Sequence, residues 1–117
     1  MQPRITDVEL VKKQVRRLAA GKVLAGDAAD VCLELGRLEG CQVRIAAGYG
    51  QLSKEPQPIP RDQLIWILDG YAEIHTAAGI EIRISQGEST VLHRGEGYRL
   101  VFPQLTLYLL VEPGGDA

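Results

Sequence analysis

The period of the hydrophobic pattern changes once along this chain, near Gly21, and that change limits the folds open to it. Before Gly21, apolar side chains recur three and four positions apart, as they do on one face of an α-helix. After Gly21, apolar and polar residues alternate within short segments, most of which are separated by glycines or prolines. One amphipathic helix followed by many short strands is typical of an all-β sandwich or barrel with a helical N-terminus.

The helix is predicted over Ile5–Ala20. Thr6 or Asp7 is suited to cap its first turn, because a short polar side chain can accept a backbone N–H there. Gly21 is suited to end the helix. The apolar stripe that should face the rest of the protein consists of Val8, Val11, Val15 and Leu18.

The predicted strands are the segments VCLEL, CQVRIAA, QLIWILD, YAEIHTA, IEIRIS, STVLH, YRLVF and LTLYLLV. In IEIRIS the isoleucines Ile80, Ile82 and Ile84 share one face, and we expect that face to be buried. The segment Ser53–Arg61 contains three prolines, which cannot donate ladder hydrogen bonds. We therefore expect it to be an extended loop or a strand at a sheet edge.

Length and composition fit one folded domain. A chain of 117 residues can bury a core but is short for two domains. Its longest apolar runs have four or five residues, against roughly 20 for a membrane-spanning helix, and its first residues lack the apolar core of a secretory signal. We expect a cytoplasmic protein without a membrane segment, in which Cys32 and Cys41 stay reduced.

Charge is spread unevenly along the chain. Six of the thirteen basic residues, but only two of the fifteen acidic ones, lie within the first 22 positions. The run KKQVRR has no interleaved aromatic residues and no recognisable DNA-reading motif. We interpret it as the solvated face of a helix and expect no nucleic-acid partner.

From about Gly48 to Glu112 the chain carries the spacing of two known motifs. The first runs through Gly50, Pro56, Pro58, Gln63 and Gly70, with five, one, four and six residues between them. The second runs through Gly87, His93, Gly95, Tyr98 and Phe102, with five, one, two and three residues between them.

This spacing resembles the two motifs of the cupin superfamily, which hold a metal in a small jelly-roll barrel. In those motifs histidines stand where this chain has Pro56, Pro58 and Tyr98, and a glutamate stands where it has Gln63. The resemblance implies a cupin-like jelly-roll β-barrel over residues 23–117 with one N-terminal α-helix over residues 1–22. That helix is expected to pack on the barrel or on a partner.

We expect no metal and no cofactor. Imidazole is offered by His75 and His93 alone, whereas a transition-metal site needs three or four converging donors. Ala72 and Ile74 are the natural inward pair of their strand, which turns His75 to the other face. His93 replaces the proline of a motif turn and is expected at the barrel rim.

The resemblance also implies a pocket, because positions that match the missing ligands point into the barrel. Gln63 and Tyr98 would be its polar anchors, and the side chains on the same strand faces are Ile65, Ile67, Leu100 and Phe102. Such a lining can orient a small molecule, or it can fill the barrel as core, and the sequence leaves both open. Aromatic and basic residues assigned to a rim or an interface are Tyr49, Trp66, Arg99 and Tyr108.

Three functions remain open at this point. The first is a metal-independent cupin-domain protein that binds a small molecule in a sensing or accessory role, and the second is a degenerate cupin with a structural or protein-interaction role. The third is a metal-free isomerase, epimerase or lyase acting on a small sugar or organic acid, with a histidine base and Tyr98 as acid. No catalytic residue is assigned from the sequence. Open sheet edges lead us to expect a homodimer.

Overall fold

The computed structural model describes residues 5–114, which form one α-helix followed by eight β-strands. The elements are α1 (Val8–Leu24), β1 (Ala29–Leu38), β2 (Cys41–Gln51), β3 (Gln57–Pro58), β4 (Gln63–Asp69), β5 (Tyr71–Thr76), β6 (Glu81–Ser85), β7 (Ser89–Leu92) and β8 (Gly97–Pro113). The predicted mostly β, jelly-roll-like architecture with an N-terminal helix is therefore present, although the sheet of the described strands does not close on itself. Within residues 5–114, no helix has the length and apolar character that crossing a bilayer requires.

Helix α1 is capped by one of the two predicted residues, but it begins at Val8 and not at Ile5, and it ends later than predicted. Asp7 is the N-cap, and its carboxylate accepts the backbone N–H of Leu10 at 3.2 Å. The predicted end at Ala20 is wrong, because Gly21 lies inside the helix and the left-handed residue that follows the cap is Gly26, with φ of 80°. A glycine that keeps a right-handed conformation lengthens a helix at a cost of about 1 kcal/mol relative to alanine, and does not end it.

The helix packs on the outer face of the barrel of its own chain. Val15 and Ala19 are fully buried there, beside apolar residues of β1, β2 and β8. Two members of the predicted apolar stripe, Val8 and Leu18, are 44% and 53% exposed, so the buried stripe is narrower than predicted. An exposed ion pair of 2.6 Å joins Arg16 to Asp69 at the end of β4 and contributes little stability.

The strands form two layers that share β8. The first sheet has the order β1-β2-β8-β4-β7. The second consists of β3, β5 and β6 together with the beginning of β8, to which β3 and β5 both pair. All of these pairings are antiparallel, as expected for a jelly roll.

The segments YRLVF and LTLYLLV, predicted as two strands, are one continuous strand. Pro103 lies in β8 where the strand passes from the second sheet to the first, and Pro103 and Gln104 are both exposed. A proline interrupts a ladder only where its missing N–H is needed, and Pro103 has no partner in the registers of the described strands. The segment around Pro58 behaves as predicted, since β3 is a two-residue strand beside β8.

The core between the sheets is built around two stacked rings. Phe102 and Tyr108 lie 5.4 Å apart and nearly parallel, and they are 1% and 3% exposed. The expectation that Tyr108 lies at a rim is wrong. Small residues of β2 make room for both rings, because a Cβ on Gly48 would lie 2.5 Å from the ring of Phe102.

The expected burial of the three isoleucines of IEIRIS is wrong for two of them. Ile84 is 4% exposed, whereas Ile80 and Ile82 are 56% and 48% exposed. Ile82 is in register with the buried Ile74 and so shares the inner side of the sheet, but among the described strands β6 pairs only with β5 and lies at the sheet edge. Alternation predicts which face a side chain takes and not whether another layer covers it.

Gly48→Ala should destabilise the fold by about 1–3 kcal/mol, the usual cost of overpacking a core, because the new methyl group collides with Phe102. Gly36→Ala is the matched control, since Gly36 also lies in a strand and has open space around it. That substitution should be neutral or stabilise by up to about 1 kcal/mol. Urea unfolding followed by circular dichroism measures both, and equal effects would contradict this account of Gly48.

Candidate functional site

The four apolar residues assigned to a pocket lie between the sheets and contact one another there. Ile65, Ile67 and Phe102 are 2%, 0% and 1% exposed, and Leu100 packs against them from a partly buried position. Their inward orientation is as predicted. They contribute apolar surface to a packed core, which is the lining that both the pocket and the filled-barrel hypotheses require.

Gln63 and Tyr98 lie at the same end of the barrel with their polar groups turned to different partners. The Gln63 amide donates to a carboxylate oxygen of Glu112 at 3.4 Å. The Tyr98 hydroxyl donates to Glu96 at 2.7 Å and accepts the backbone N–H of His93 at 3.2 Å. His93 directly follows Leu92, which is in register with Gln63, so the two sites are neighbours.

The bond to Glu96 is the main reason why the pKa of Tyr98 is raised above its usual value, since a neighbouring carboxylate disfavours the phenolate. Tyr98 is therefore held as a neutral phenol whose proton is already directed at Glu96. Such a hydroxyl can bind and orient a molecule but is not activated as a base.

Gln63 belongs to a row of polar side chains that crosses the inner face of the first sheet. The strand register aligns Gln42 with Glu112, and Gln63, which precedes the pair of Leu64 with Val111, reaches Glu112 through its side chain. Arg44, two residues along β2 from Gln42, donates to the Gln42 amide oxygen and to Glu112, the latter at 3.1 Å. We call Gln42, Arg44, Gln63 and Glu112 the polar network.

The polar network is largely withdrawn from water. Gln42 is 7% exposed, and the side chains of Arg44 and Glu112 are 32% and 11% exposed. A half-buried arginine and carboxylate stabilise each other, and removal of one partner leaves the other charge desolvated and alone. The four side chains together supply amide donors, amide acceptors, a guanidinium and a carboxylate at one barrel end.

Sequence reasoning missed three of these four residues. The inward positions were inferred only for the strands that carry the two motifs. Gln42, Arg44 and Glu112 lie outside the motif positions. The signal was nevertheless present, because Gln42 and Arg44 alternate with the apolar Val43 and Ile45 in CQVRIAA. Ile45 packs against α1 on the outer face, which turns the alternating Gln42 and Arg44 to the inner face.

A second polar pair lies at the other end of the inner face. The hydroxyl of Tyr108 donates to the Asp30 carboxylate at 2.8 Å. In the registers Asp30 is opposite Gly48, six residues from Gln42 along β2, or roughly 20 Å in an extended strand. The Asp30–Tyr108 pair and the polar network are therefore separate.

Burial is the main cause that raises the pKa of Tyr108 well above its usual value, and the nearby Asp30 charge adds to it. Desolvation also raises the pKa of Asp30, although the residue as a whole is exposed, while the bond from Tyr108 lowers it. The pair is thus a buried phenol that is bonded to a carboxylate at the barrel edge, which satisfies the hydroxyl of a core tyrosine.

His75 lies on the outer face of the second sheet, as predicted. Its Nδ1 lies 3.3 Å from Glu81 and 3.2 Å from the Arg99 guanidinium, and its Nε2 lies 3.7 Å from Glu73. The cluster of Glu73, His75 and Glu81 has donor types that bind metals. One donor atom from each of the three lies within 4.8 Å of the others, a spacing compatible with a cation, whereas the Arg99 guanidinium at 3.2 Å from Nδ1 adds a positive charge that opposes one.

The histidine-and-tyrosine acid–base pair is not assembled by this geometry. His75 is on the outer face, and the imidazole of the exposed His93 makes no hydrogen bond to Tyr98 among the described residues; the contact is through the His93 backbone. The residues at the cupin ligand positions also fit a metal poorly. Pro56 and Pro58 have no donor side chain, and the polar groups of Gln63 and Tyr98 are bonded to carboxylates.

Comparison with known proteins identifies the fold. No family model and no curated protein matches the sequence. A cupin-2 domain containing protein from Shewanella frigidimarina is 13% identical over 86% of this chain and 98% of that chain, with a TM-score of 0.65. A cupin superfamily protein from Desulfitobacterium hafniense is 14% identical over 73% and 77% of the two chains, with a TM-score of 0.60. A protein of unknown function from Rhizobium leguminosarum is 13% identical over 96% and 97%, with a TM-score of 0.67.

The chain therefore has the cupin fold, and the resemblance that the motif spacing carried is confirmed at the level of the fold. Identities this low show the fold alone. A barrel of this kind hosts many unrelated functions, so function has to be argued from the side chains of this chain.

Tyr108→Phe tests the Asp30–Tyr108 pair. At neutral pH we expect a loss of about 0.5–1.5 kcal/mol, the net value of one hydrogen bond. Folding raises the pKa of Tyr108 above the ordinary value of 10.0, so the stability linked to its neutral form is present below that pH and lost as the pH rises through the folded-state pKa. The difference between wild type and variant should therefore shrink in alkaline solution.

Urea unfolding at neutral and alkaline pH measures this effect, with Tyr71→Phe as control because Tyr71 lies on the outer side of β5 under Arg83. The variant should also show a raised pKa for Asp30, measurable by carboxyl NMR, because the lost bond had lowered it. A stability difference that stays constant across the alkaline range would contradict the assignment.

Proposed function

We propose that this chain is a metal-independent cupin-fold protein that binds a small polar molecule at the barrel end formed by the polar network and Tyr98. One observation carries the proposal: four hydrogen-bonding side chains of the first sheet meet at one barrel end, next to the apolar core between the sheets. Small-molecule sites are mostly apolar and contain a few converging polar groups of this kind. The neutral Tyr98 hydroxyl at the same end supplies a further orienting group.

The chemistry of the polar network indicates the class of ligand. Arg44 and Glu112 neutralise each other, so the site has little net charge to offer to an anion or a cation. The amides of Gln42 and Gln63 each have both a donor and an acceptor group. This combination suits a small molecule rich in hydroxyl groups, such as a sugar or a hydroxy acid.

The polar network is not explained by stability alone. A half-buried ion pair is on average no more stabilising than apolar residues of similar size. Apolar side chains at these four positions would continue the packing of Ile65 and Leu110. A binding role gives these groups a function that core packing does not.

The purified protein should contain far less than one transition-metal ion per chain. The reason is the donor chemistry at the cupin ligand positions, where Pro56 and Pro58 cannot coordinate and Gln63 and Tyr98 are weak neutral ligands. Elemental analysis of protein purified without chelators measures this. About one zinc, iron, nickel or manganese ion per chain, lost in Gln63→Leu, would overturn the metal-independent proposal.

A thermal-shift screen of sugars, polyols and hydroxy acids tests binding directly. For any compound that stabilises the wild type, Tyr98→Phe and Gln63→Leu should each weaken binding by about 0.5–1.5 kcal/mol, the net value of one hydrogen bond. Tyr71→Phe and Gln14→Leu are the matched controls, because Tyr71 lies on the outer side of β5 and Gln14 is exposed on α1, and they should leave binding unchanged.

If no compound of these classes shifts the wild type, the binding proposal is wrong and a structural or partner-binding role takes its place. The buried state of Ile65, Ile67 and Phe102 fits that second role equally well. Equal weakening by the test and control variants would likewise reject this barrel end as the site.

A further inference from the structure

A cavity of about 190 Å³ opens at the barrel end that carries the polar network. Its wall is formed where four strands of the first sheet begin or end, by residues around the starts of β2 and β4 and by the last residues of β7 and β8. Two of the lining residues, Gln63 and Glu112, belong to the polar network. A molecule in the cavity therefore lies directly beside that network.

Most of the cavity wall is apolar. Aliphatic side chains come from Leu64, Val91, Val111 and Pro113. The strand registers place Leu64 opposite both Val91 and Val111, so these three residues form one patch. Cys41, opposite Pro113, adds a thiol that behaves as a small hydrophobic group. In another protein an engineered apolar cavity of about 150 Å³ binds benzene, so the cavity here has room for one apolar group of that size.

The polar part of the wall is acidic. Among the described residues that line the cavity, the charged side chains are the carboxylates of Asp62 and Glu112, and none is basic. Two guanidinium groups nearby are already engaged, because Arg44 is bonded to Glu112 at 3.1 Å and Arg61 donates to the Pro113 carbonyl at 3.5 Å. An anionic ligand in the cavity would lie beside two carboxylates, which repel it.

We propose that the ligand of this barrel end is an uncharged, hydroxylated molecule with one compact apolar group. The cavity binds the apolar group, and the polar network binds the hydroxyl groups. Gln63 joins the two parts, because it lines the cavity and its amide also bonds to Glu112. This inference rests on the function proposed above and narrows its class of ligand, since an acid is repelled and a bare sugar or polyol leaves the cavity unfilled.

Cys41 gives a direct readout of occupancy, because it is half-buried and lines the cavity. Cys32 is the internal control, since it is exposed on β1 and lies opposite Ala46, away from the cavity. A ligand in the cavity should protect Cys41 from alkylation by iodoacetamide and leave the rate for Cys32 unchanged. At ten times the Kd, mass action leaves about a tenth of the sites free, so Cys41 should react roughly tenfold more slowly. Mass spectrometry of peptides separates the two cysteines.

Three small compounds test the two parts of the ligand class. The diol 1-phenyl-1,2-ethanediol has two hydroxyl groups and a phenyl ring, ethylene glycol lacks the ring, and mandelate has a carboxylate in place of the terminal hydroxymethyl group. The phenyl diol should protect Cys41 with a Kd in the millimolar range, as expected for a ligand of about ten non-hydrogen atoms. Ethylene glycol should bind at least roughly tenfold more weakly because it buries no apolar group. Mandelate should be weakened at least as much by its charge.

Two variants test whether both parts of the wall are used. Val91→Trp should fill the cavity, so Cys41 should react slowly without ligand and the phenyl diol should have no further effect. Leu18→Trp is the matched control, because Leu18 is 53% exposed on α1, against 47% for Val91, and this variant should behave as the wild type. Gln63→Leu should weaken binding of the phenyl diol roughly three- to tenfold, the loss of one hydrogen bond. Circular dichroism confirms that each variant is folded.

Three results would overturn this inference and leave the function proposed above standing. The first is a sugar or polyol that binds in a Gln63-dependent manner while the phenyl diol leaves Cys41 unprotected or binds no more tightly than ethylene glycol. The second is mandelate that binds as tightly as the phenyl diol. The third is protection of Cys41 that persists unchanged in Val91→Trp.

Two further results separate the inference from that function. Binding of the phenyl diol that Gln63→Leu leaves unchanged would make the cavity an apolar site unconnected with the polar network, and the inference would be wrong. If none of the three compounds binds, and no sugar, polyol or hydroxy acid stabilises the wild type, the function proposed above fails and this inference fails with it.

Discussion

Strand β8 is the element on which the rest of the fold depends, because both sheets are bonded to it. Its first residues pair with β3 and β5 and its last residues pair with β2 and β4. The transition between the two halves is fixed by Thr106, which is fully buried and whose hydroxyl accepts the N–H of Tyr71 and donates to its C=O. Gly70 is required beside it, since its φ is 101° and a Cβ there would lie 2.5 Å from the Thr106 hydroxyl oxygen.

The course of β8 also explains how the candidate site is assembled. The strand runs from one barrel end to the other in the second sheet, bends after Phe102, and returns in the first sheet. Tyr98 near its start and Glu112 near its finish therefore reach the same barrel end, on either side of Gln63. A site built from residues 14 positions apart on one strand has no local signature in the sequence. It follows only once the bend is known.

The sequence predicted the direction of a strand's side chains better than it predicted whether those side chains are buried. The alternation of side chains along a strand assigned Gln63, Trp66 and His75 to the faces on which the structure has them, because this alternation is a local property of an extended chain. Burial depends on whether another layer of the protein covers that face. Ile82 has the expected inward orientation, but it is half exposed because its strand lies at the sheet edge. Tyr108 was assigned to a rim and is in the core. The room for its ring comes from Ala46 and Gly48 on another strand. Which residues of the two strands lie opposite each other cannot be read from the sequence alone.

Helix α1 is attached to the barrel by very few side chains. Two of them, Val15 and Ala19, are fully buried, and the ion pair of Arg16 with Asp69 is open to water. Elements with so little buried surface open locally at a small fraction of the global unfolding free energy, and their amides exchange with solvent first. Opening of α1 would uncover Ile45, Ala47 and Leu107 on a barrel that is otherwise intact. A chain in which α1 had opened would therefore expose this apolar surface to other molecules while its strands remained paired.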